Sequence, residues 1–310
     1  MPKADDILKE LQQKADAISA AIDRKQAATG KNIARAEKQL LQIIFDSLTR
    51  HLTFDAEGRL INNTDNLAAL IQVDKAFDQF RKKVLKGVLR QYVSDLIQIA
   101  GMTGELYAGE APAATLAKII ADNTLLLRAI GVTASGNVIK GSILWEVSNS
   151  PQVRQGVKSV VISAIQSGWT LAEFTDGLRT FIRGIKGATG RLVNYWRTYA
   201  YDIFNQAAEV KNEQFRRGLD MQWLLYVGDI IKDSRAFCVK KAGNVFAVIE
   251  ADTEWPDDPD LVGKKSGIPY VPRIDRGRWN CRHRIRYITE ELALQIDPAK
   301  VKLIKAKYNI

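Results

Sequence analysis

Residues 221–248 read MQWLLYVGDIIKDSRAFCVKKAGNVFAV, and within this stretch the spacing of the apolar residues changes. Over residues 223–227 the side chains alternate between two faces, a period of two that predicts a β-strand. Gly243 and Asn244 are typical of a turn, and the apolar residues 245–248 that follow predict a second strand. The stretch therefore predicts a small sheet.

Outside this stretch, residues 285–288 predict a third short strand, whereas most other apolar residues recur every three to four positions, as in helices. The insert 250–272 holds four prolines and six acidic residues, so we expect a surface loop there. We predict a mainly α fold with a small β-sheet (α+β). A helical N-terminal half is followed by C-terminal helices that are capped by a small antiparallel sheet.

In the N-terminal half, the spacing of the apolar residues predicts helices with narrow apolar stripes. Gly30 is expected to end the first helix, so that residues 5–52 form an antiparallel helical hairpin. A long helix is expected over residues 65–100, and the Thr170-to-Glu173 capping box predicts the start of another helix. Stripes of this kind suit helix-in-groove contact with a partner protein.

The domain organisation follows from a change in composition. Glycines and serines between residues 131 and 149 predict an irregular link, which we take as a domain boundary. We therefore predict a helical docking or assembly region over 1–149, an α+β domain over 150–290 and a basic C-terminal tail over 291–310. We expect residues 150–290 to fold alone.

The charge balance points to a class of partner. The 310 residues include 45 Lys and Arg against 35 Asp and Glu, a net charge of +10, which favours polyanions such as nucleic acid. Two cysteines exclude a disulfide scaffold, and the polar first residues lack the apolar core of a secretory signal, so we expect a cytoplasmic protein. No apolar run approaches the ~18 to 20 residues that cross a bilayer, so we expect no membrane partner.

Candidate metal ligands are concentrated in one stretch. Both cysteines, Cys238 and Cys281, and one of the two histidines, His283, lie within residues 229–283. Cys281 and His283 are two positions apart, so on an extended segment both point to one face, and we expect Cys238 to lie close to them. Zinc in a closed site takes four ligands, and Asp233 or a water molecule is the candidate for the fourth.

Two other interpretations of these residues stay open. The cysteines could be small buried apolar residues or form a late disulfide, with His283 bonded to a carbonyl group. Alternatively, Cys238, Cys281 and His283 could form the site of a metal-dependent nuclease or toxin-like effector. A nuclease of the His-Asn-His type needs a general-base histidine beside its metal, and the other histidine, His51, lies on a helix that we interpret as structural.

A cluster of basic residues follows the acidic insert. Its density suits contacts with phosphate groups, which give affinity without sequence information. We expect binding to duplex DNA that is weak, insensitive to sequence and sensitive to salt. The residues that we predict to contact nucleic acid are Arg273, Arg276, Arg278, Arg282, Arg284, Arg286, Lys302 and Lys305.

The sequence also resembles a known family. DSRAFC (233–238), a glycine-containing turn and a proline-containing loop that ends in NCRH (280–283) carry the resemblance. This pattern is similar to the head morphogenesis family of tailed bacteriophages, the minor head proteins similar to protein F of phage Mu. The resemblance extends from residue 150 to residue 289. Many members have His-Pro-Asn-Cys where this chain has RWNC (278–281), so one histidine is replaced.

The resemblance implies a low-copy minor head protein with a structural and interaction role. Such a protein acts at the portal vertex in head assembly and in DNA packaging or ejection. Its expected partners are the portal protein, the major capsid or scaffolding protein, and double-stranded DNA. It would be present in the host cytoplasm during assembly and then in the interior of the virion head. Because only one histidine accompanies the cysteines, we do not expect an enzyme.

Overall fold

The computed structural model describes residues 4–185, 189–262, 269–278 and 281–310. The predicted fold class is confirmed, because the described chain is mainly helical with one small antiparallel sheet. Short 3-10 segments lie at Thr103–Tyr107 and Trp255–Asp257, and a π-helical segment lies at Arg81–Leu85. The α-helices are α1 (Ala4–Thr49), α2 (Thr64–Ala68), α3 (Ile71–Phe80), α4 (Lys86–Met102), α5 (Ala113–Ala121), α6 (Thr124–Ala129), α7 (Ile143–Asn149), α8 (Pro151–Gln166), α9 (Leu171–Arg183), α10 (Arg191–Gly218), α11 (Ala236–Lys241), α12 (Val248–Glu254), α13 (Pro272–Asp275), α14 (Glu290–Ile296) and α15 (Pro298–Tyr308).

The sheet consists of the three strands that the sequence predicts, β1 (Trp223–Val227), β2 (Val245–Ala247) and β3 (Arg284–Ile288). β1 lies in the centre and pairs antiparallel with both neighbours. Trp223 faces Ala247 on one side and Ile288 on the other. The register therefore places the end of β1 beside the segment that leads into β3.

Both faces of this sheet are buried, since all five residues of β1 are shielded from solvent. Trp223, Leu225 and Val227 belong to an apolar cluster that includes Leu11 of α1 and Val301 of α15. On the other face, the Tyr226 ring makes edge contacts with Phe237 and Trp255. The sheet thus lies between two packed layers.

The chain forms two compact units. One consists of residues 1–24, 95–129 and 201–310 and contains the sheet, and the other consists of residues 25–94 and 130–200. The predicted regions 1–149, 150–290 and 291–310 concern independent folding and function, and they stay predictions.

The prediction of a hairpin over residues 5–52 is wrong, because α1 is one helix of 46 residues. Gly30 does not have the left-handed backbone conformation with which glycine usually ends a helix. Buried residues continue in helical register past it, from Ile22 to Thr29 and Ile33. A glycine inside a helix costs only about 1 kcal/mol, which a continuous buried stripe offsets.

The buried stripe of α1 has a consequence for the predicted docking surface. Leu40, Ile44 and Leu48 are buried, as are the apolar residues nearer the N-terminus. An apolar face that the chain itself covers is not available to lie in the groove of a partner. Contact through the N-terminal region would therefore use its exposed side chains.

The second unit is mainly helical in its described residues. The predicted capping box at Thr170 is present, because Thr170 and Glu173 each bond the backbone amide of the other. α8 and α9 pack together, and Lys158 on α8 forms an ion pair of 2.8 Å with Asp74 on α3. The predicted helix over 65–100 is divided into three. A turn separates α2 from α3, and the π-helical segment joins α3 to α4.

The link over 131–149 and the insert after residue 250 contain more helix than the sequence predicts. α7 occupies Ile143–Asn149, and α12 occupies Val248–Glu254. One side of this segment is buried and consists of Val248, Ala251 and Trp255. These residues are three and four positions apart, as in a helix, but the prolines that follow hid this pattern in the sequence. The described part of the insert is therefore only partly a loop.

Candidate functional site

The structure brings Cys238, Cys281 and His283 together. Cys238 lies on α11, while Cys281 and His283 lie in the segment that enters β3. One potential ligand atom from each residue lies within 4.8 Å of the others, and the two sulfur atoms are 3.8 Å apart. The predicted proximity of these residues is confirmed.

The cluster is closed to solvent. The exposed fractions are 3% for Cys238, 4% for Cys281 and 3% for His283. Both cysteines are free thiols. Buried sites of this kind are typical of structural metal centres, whereas catalytic centres keep a position open to substrate.

Tyr226 completes the wall of the cluster from β1. Its hydroxyl group lies 3.5 Å from the sulfur of Cys238 and 3.4 Å from that of Cys281. Its ring stacks on the imidazole of His283, with a centroid distance of 5.2 Å. Tyr226 was not among the predicted site residues, although a polar side chain inside an apolar strand was a signal for it.

Two glycines permit this close packing. A Cβ atom at Gly277 would overlap the sulfur of Cys238 and would lie 3.2 Å from that of Cys281. A Cβ atom at Gly228 would lie 2.8 Å from Cα of His283. Side chains at these two positions would therefore displace the cysteine and histidine groups.

The hydrogen bonds and burial of the cluster shift the pKa values of the two thiols in opposite directions. Hydrogen bonding to Cys238, and then to His283, lowers the pKa of Cys281 well below its usual value, although burial opposes this. Hydrogen bonding to Cys281, together with burial, raises the pKa of Cys238.

The imidazole of His283 has an unsatisfied nitrogen. Its Nε2 atom is buried and has no hydrogen-bond partner among the described residues. A buried polar atom without a partner costs free energy, commonly about 1–3 kcal/mol, so this atom calls for a ligand.

Asp233, the predicted fourth ligand, is not part of the cluster. It is exposed, and among the described residues the group of close ligand atoms contains only the two cysteines and His283. Trp279 and Asn280 of the sequence motif lie outside the described residues. The first half of the motif nevertheless contacts the second, because Arg235 donates a hydrogen bond of 2.5 Å to the carbonyl of Gly277.

Three of the arginines predicted to contact nucleic acid are core residues. Arg276 and Arg284 are buried and share the buried carboxylate of Glu209, at 2.6 Å and 3.3 Å. Arg286 is also buried and pairs with Glu110 at 2.7 Å. Buried guanidinium groups that bond to carboxylates cannot reach a phosphate backbone, so this placement does not fit the predicted role.

Arg273 belongs to the same polar layer. It bonds to Glu213 and, at 2.8 Å, to Asp252. Burial opposes ionisation of Glu213, but hydrogen bonds from Arg216 and Arg273 lower the pKa of Glu213 to about 2. The sequence signal was the row of polar residues on α10, which recur at helical spacing and face the strand arginines. They are Asn205 and Glu209, which bond to Arg284, and Asn212 and Glu213, which bond to the Ile285 carbonyl and to Arg273, respectively.

The other predicted contacts with nucleic acid are more accessible. The side chain of Arg282 is 57% exposed, and the nearest oxygen of Asp23 is 4.0 Å away. Lys302 is exposed, and Lys305 pairs with Glu290 at 2.6 Å. Arg278 is partly buried and lies over the ring of Tyr270. Nucleic-acid contact stays a prediction for these four residues.

A cleft of about 410 Å³ lies near β2 and α12. Lys241 pairs there with Asp258 at 2.6 Å, and Lys300 lies over the ring of Phe246. The Cys/Cys/His cluster is the better candidate site, because it brings three potential metal-ligand atoms within 4.8 Å of one another.

Comparison with known proteins adds no further assignment: no family model, no curated protein and no solved structure matches this chain. Among the described residues, no helix is both long and apolar enough to cross a membrane.

Proposed function

We propose that this protein is a phage minor head protein that acts at the portal vertex, in low copy, during head assembly and DNA packaging or ejection. It would work through contacts with portal, scaffolding or major capsid proteins rather than through catalysis. It would be present in the host cytoplasm during assembly and later inside the virion head.

The observation that carries this proposal is the convergence of the residues on which the family resemblance rests. Arg235 bonds to Gly277, and Cys238 lies against Cys281 and His283. The two halves of the motif, far apart in sequence, therefore hold each other in one buried cluster. These contacts support the proposal, because they allow the residues of the motif to act as one structural element.

The closed environment of the cluster favours a structural role over a nuclease. A nuclease must bring a scissile phosphate to its metal and its general base. Cys238, Cys281 and His283 are almost completely shielded from solvent, so a nucleic-acid strand has no access to them. We therefore favour assembly over hydrolysis.

The test of the function is incorporation into particles. The full chain is expressed with the portal, scaffolding and major capsid proteins of the same phage genome, and particles are separated by sedimentation. We expect the protein to sediment with particles that contain portal protein and to be lost from particles assembled without it. Protein that remains unassembled in both samples would refute the proposal.

We also propose weak, sequence-independent contact with DNA through the accessible basic residues. Replacing Arg282 by glutamine is expected to reduce the slope of log affinity against log salt by about 1, because one phosphate contact is lost. Stability should change by no more than about 0.5 kcal/mol, since Arg282 is exposed. Fluorescence anisotropy with duplex DNA at several salt concentrations measures the slope.

A matched comparison uses the buried neighbour Arg284. Replacing Arg284 by glutamine should lower stability instead, because Arg284 bonds to Glu209 and Asn205 in the core.

A double variant tests the DNA contact directly. If the protein with Arg282→Gln and Lys302→Gln keeps the wild-type slope of log affinity against log salt, these two residues do not contact DNA.

A further inference from the structure

The donor atoms of the Cys/Cys/His cluster are those that soft divalent metals prefer. Two thiol sulfurs and one imidazole lie within 4.8 Å of one another. Thiolate and imidazole together are the usual ligands of structural zinc, and they bind magnesium or calcium poorly. The chemistry of the cluster therefore selects a thiophilic cation.

The distances fit a tetrahedral site. With Zn–S bonds of about 2.3 Å and a Zn–O bond of about 2.0 Å, a tetrahedron has an S–S edge of about 3.8 Å and an S–O edge of about 3.5 Å. The two sulfurs of the cluster are 3.8 Å apart. The hydroxyl oxygen of Tyr226 lies 3.5 Å and 3.4 Å from them.

Two features around the cluster also fit a bound metal ion. One imidazole nitrogen of His283 lies within 4.8 Å of the two sulfurs, and the Nε2 atom of this ring is buried without a hydrogen-bond partner among the described residues. Gly277 leaves space that any larger residue would take from the sulfur of Cys238. The site is thus both polar and shaped for its donors.

We propose that Cys238, Cys281 and His283 bind one zinc ion and that the hydroxyl group of Tyr226 occupies the fourth position. The ion joins α11, β1 and the segment before β3. It is a structural centre, because its ligands are shielded from solvent. This inference does not depend on the proposed role in a phage head.

The first test uses the full chain, purified without a histidine tag. We expect about one zinc ion per chain by elemental analysis, because closed structural sites retain their metal through purification. After the zinc is removed with a chelator, added cobalt(II) should give thiolate-to-cobalt charge-transfer bands and the visible bands of tetrahedral cobalt. Absence of both zinc and these bands would overturn the proposal.

Thiol reactivity gives an independent readout. Cys238 and Cys281 are the only cysteines of the chain, so every thiol that reacts reports on this cluster. Both thiols should react more slowly with a disulfide reagent in the zinc-bound protein than in the zinc-free protein, because a bound metal holds both sulfur atoms and the fold around them. Equal reactivity with and without zinc, or a disulfide between the two cysteines in the isolated protein, would refute a metal centre.

Variants test the ligand set. His283→Gln should weaken zinc binding by more than the roughly 10- to 100-fold typical of losing a group that only orients a ligand. His51→Gln is the matched control, because His51 is exposed and is the only other histidine. Unchanged affinity in a folded His283→Gln protein, checked by circular dichroism, would overturn the assignment.

Two more variants keep the test decisive if His283→Gln does not fold. Gly277→Ala keeps every donor but places a Cβ atom against both sulfurs, so it should weaken zinc binding, whereas Gly87→Ala should not, since its Cβ atom would meet nothing within 4 Å. Tyr226→Phe keeps the ring on His283 and removes the oxygen. It should retain zinc at reduced affinity, and unchanged affinity would exclude Tyr226 as the fourth ligand.

Discussion

Replacing Glu209 by alanine is expected to lower the free energy of unfolding by about 3–5 kcal/mol, the cost typical of removing one partner from a buried ion pair. Glu209 is buried on α10, and its carboxylate contacts the buried guanidinium groups of Arg276 and Arg284. Its removal leaves two positive charges in the core with less negative charge to balance them. Urea unfolding followed by far-ultraviolet circular dichroism measures the change.

A matched control uses an exposed pair in the same unit. Glu290 and Lys305 are 2.6 Å apart, but their side chains are about two-fifths exposed, so Glu290→Gln should cost roughly 1 kcal/mol or less. Glu209→Gln keeps much of the shape and loses the charge, so it separates electrostatics from packing. If Glu209→Ala costs no more than Glu290→Gln, the buried network does not stabilise this fold.

The second large effect is expected in the C-terminal segment. Replacing Ile304 by alanine should cost about 2–5 kcal/mol, because a buried isoleucine loses its apolar contacts and leaves a cavity. Ile304 is 5% exposed and belongs to the apolar cluster that contains Trp223 and Leu225 of β1. The same urea experiment measures the loss.

The neighbouring residue is the control. Leu303 is 72% exposed, so Leu303→Ala should change stability by no more than about 0.5 kcal/mol. Removal of residues 290–310 should destabilise the sheet itself, since Ala293, Val301 and Ile304 all pack in its cluster. A shortened chain with wild-type stability would show that these residues do not contribute to the core.

Local patterns in the sequence determined much of the fold. The three strands, the capping box at Thr170 and the mainly helical class depend on alternation, turn residues and capping side chains. Each of these acts over a few residues, so its physical cause is contained in the local sequence. A single glycine was a less reliable signal for the end of a helix. α1 continues past Gly30, because its stripe of buried residues continues there.

Tertiary structure alone decided what the charged residues do. A run of arginines before and within β3 looks the same in sequence whether it faces solvent or a buried carboxylate. The partners of Arg276, Arg284 and Arg286 come from Glu209 on α10 and from Glu110, which are distant in sequence. Net charge therefore favoured a polyanionic partner without indicating which side chains are free to contact it.

The candidate metal centre shows both kinds of information. The sequence by itself determined that Cys238, Cys281 and His283 would meet, because a small sheet must bring its strands together to bury their apolar faces. It did not identify the hydroxyl group of Tyr226, which lies beside both sulfurs. Asp233 or a water molecule was the expected fourth ligand, and Asp233 lies outside the cluster. Which side chain lies beside the two sulfurs depends on how β1 packs against α11 and the segment before β3. Only the tertiary structure decides this packing.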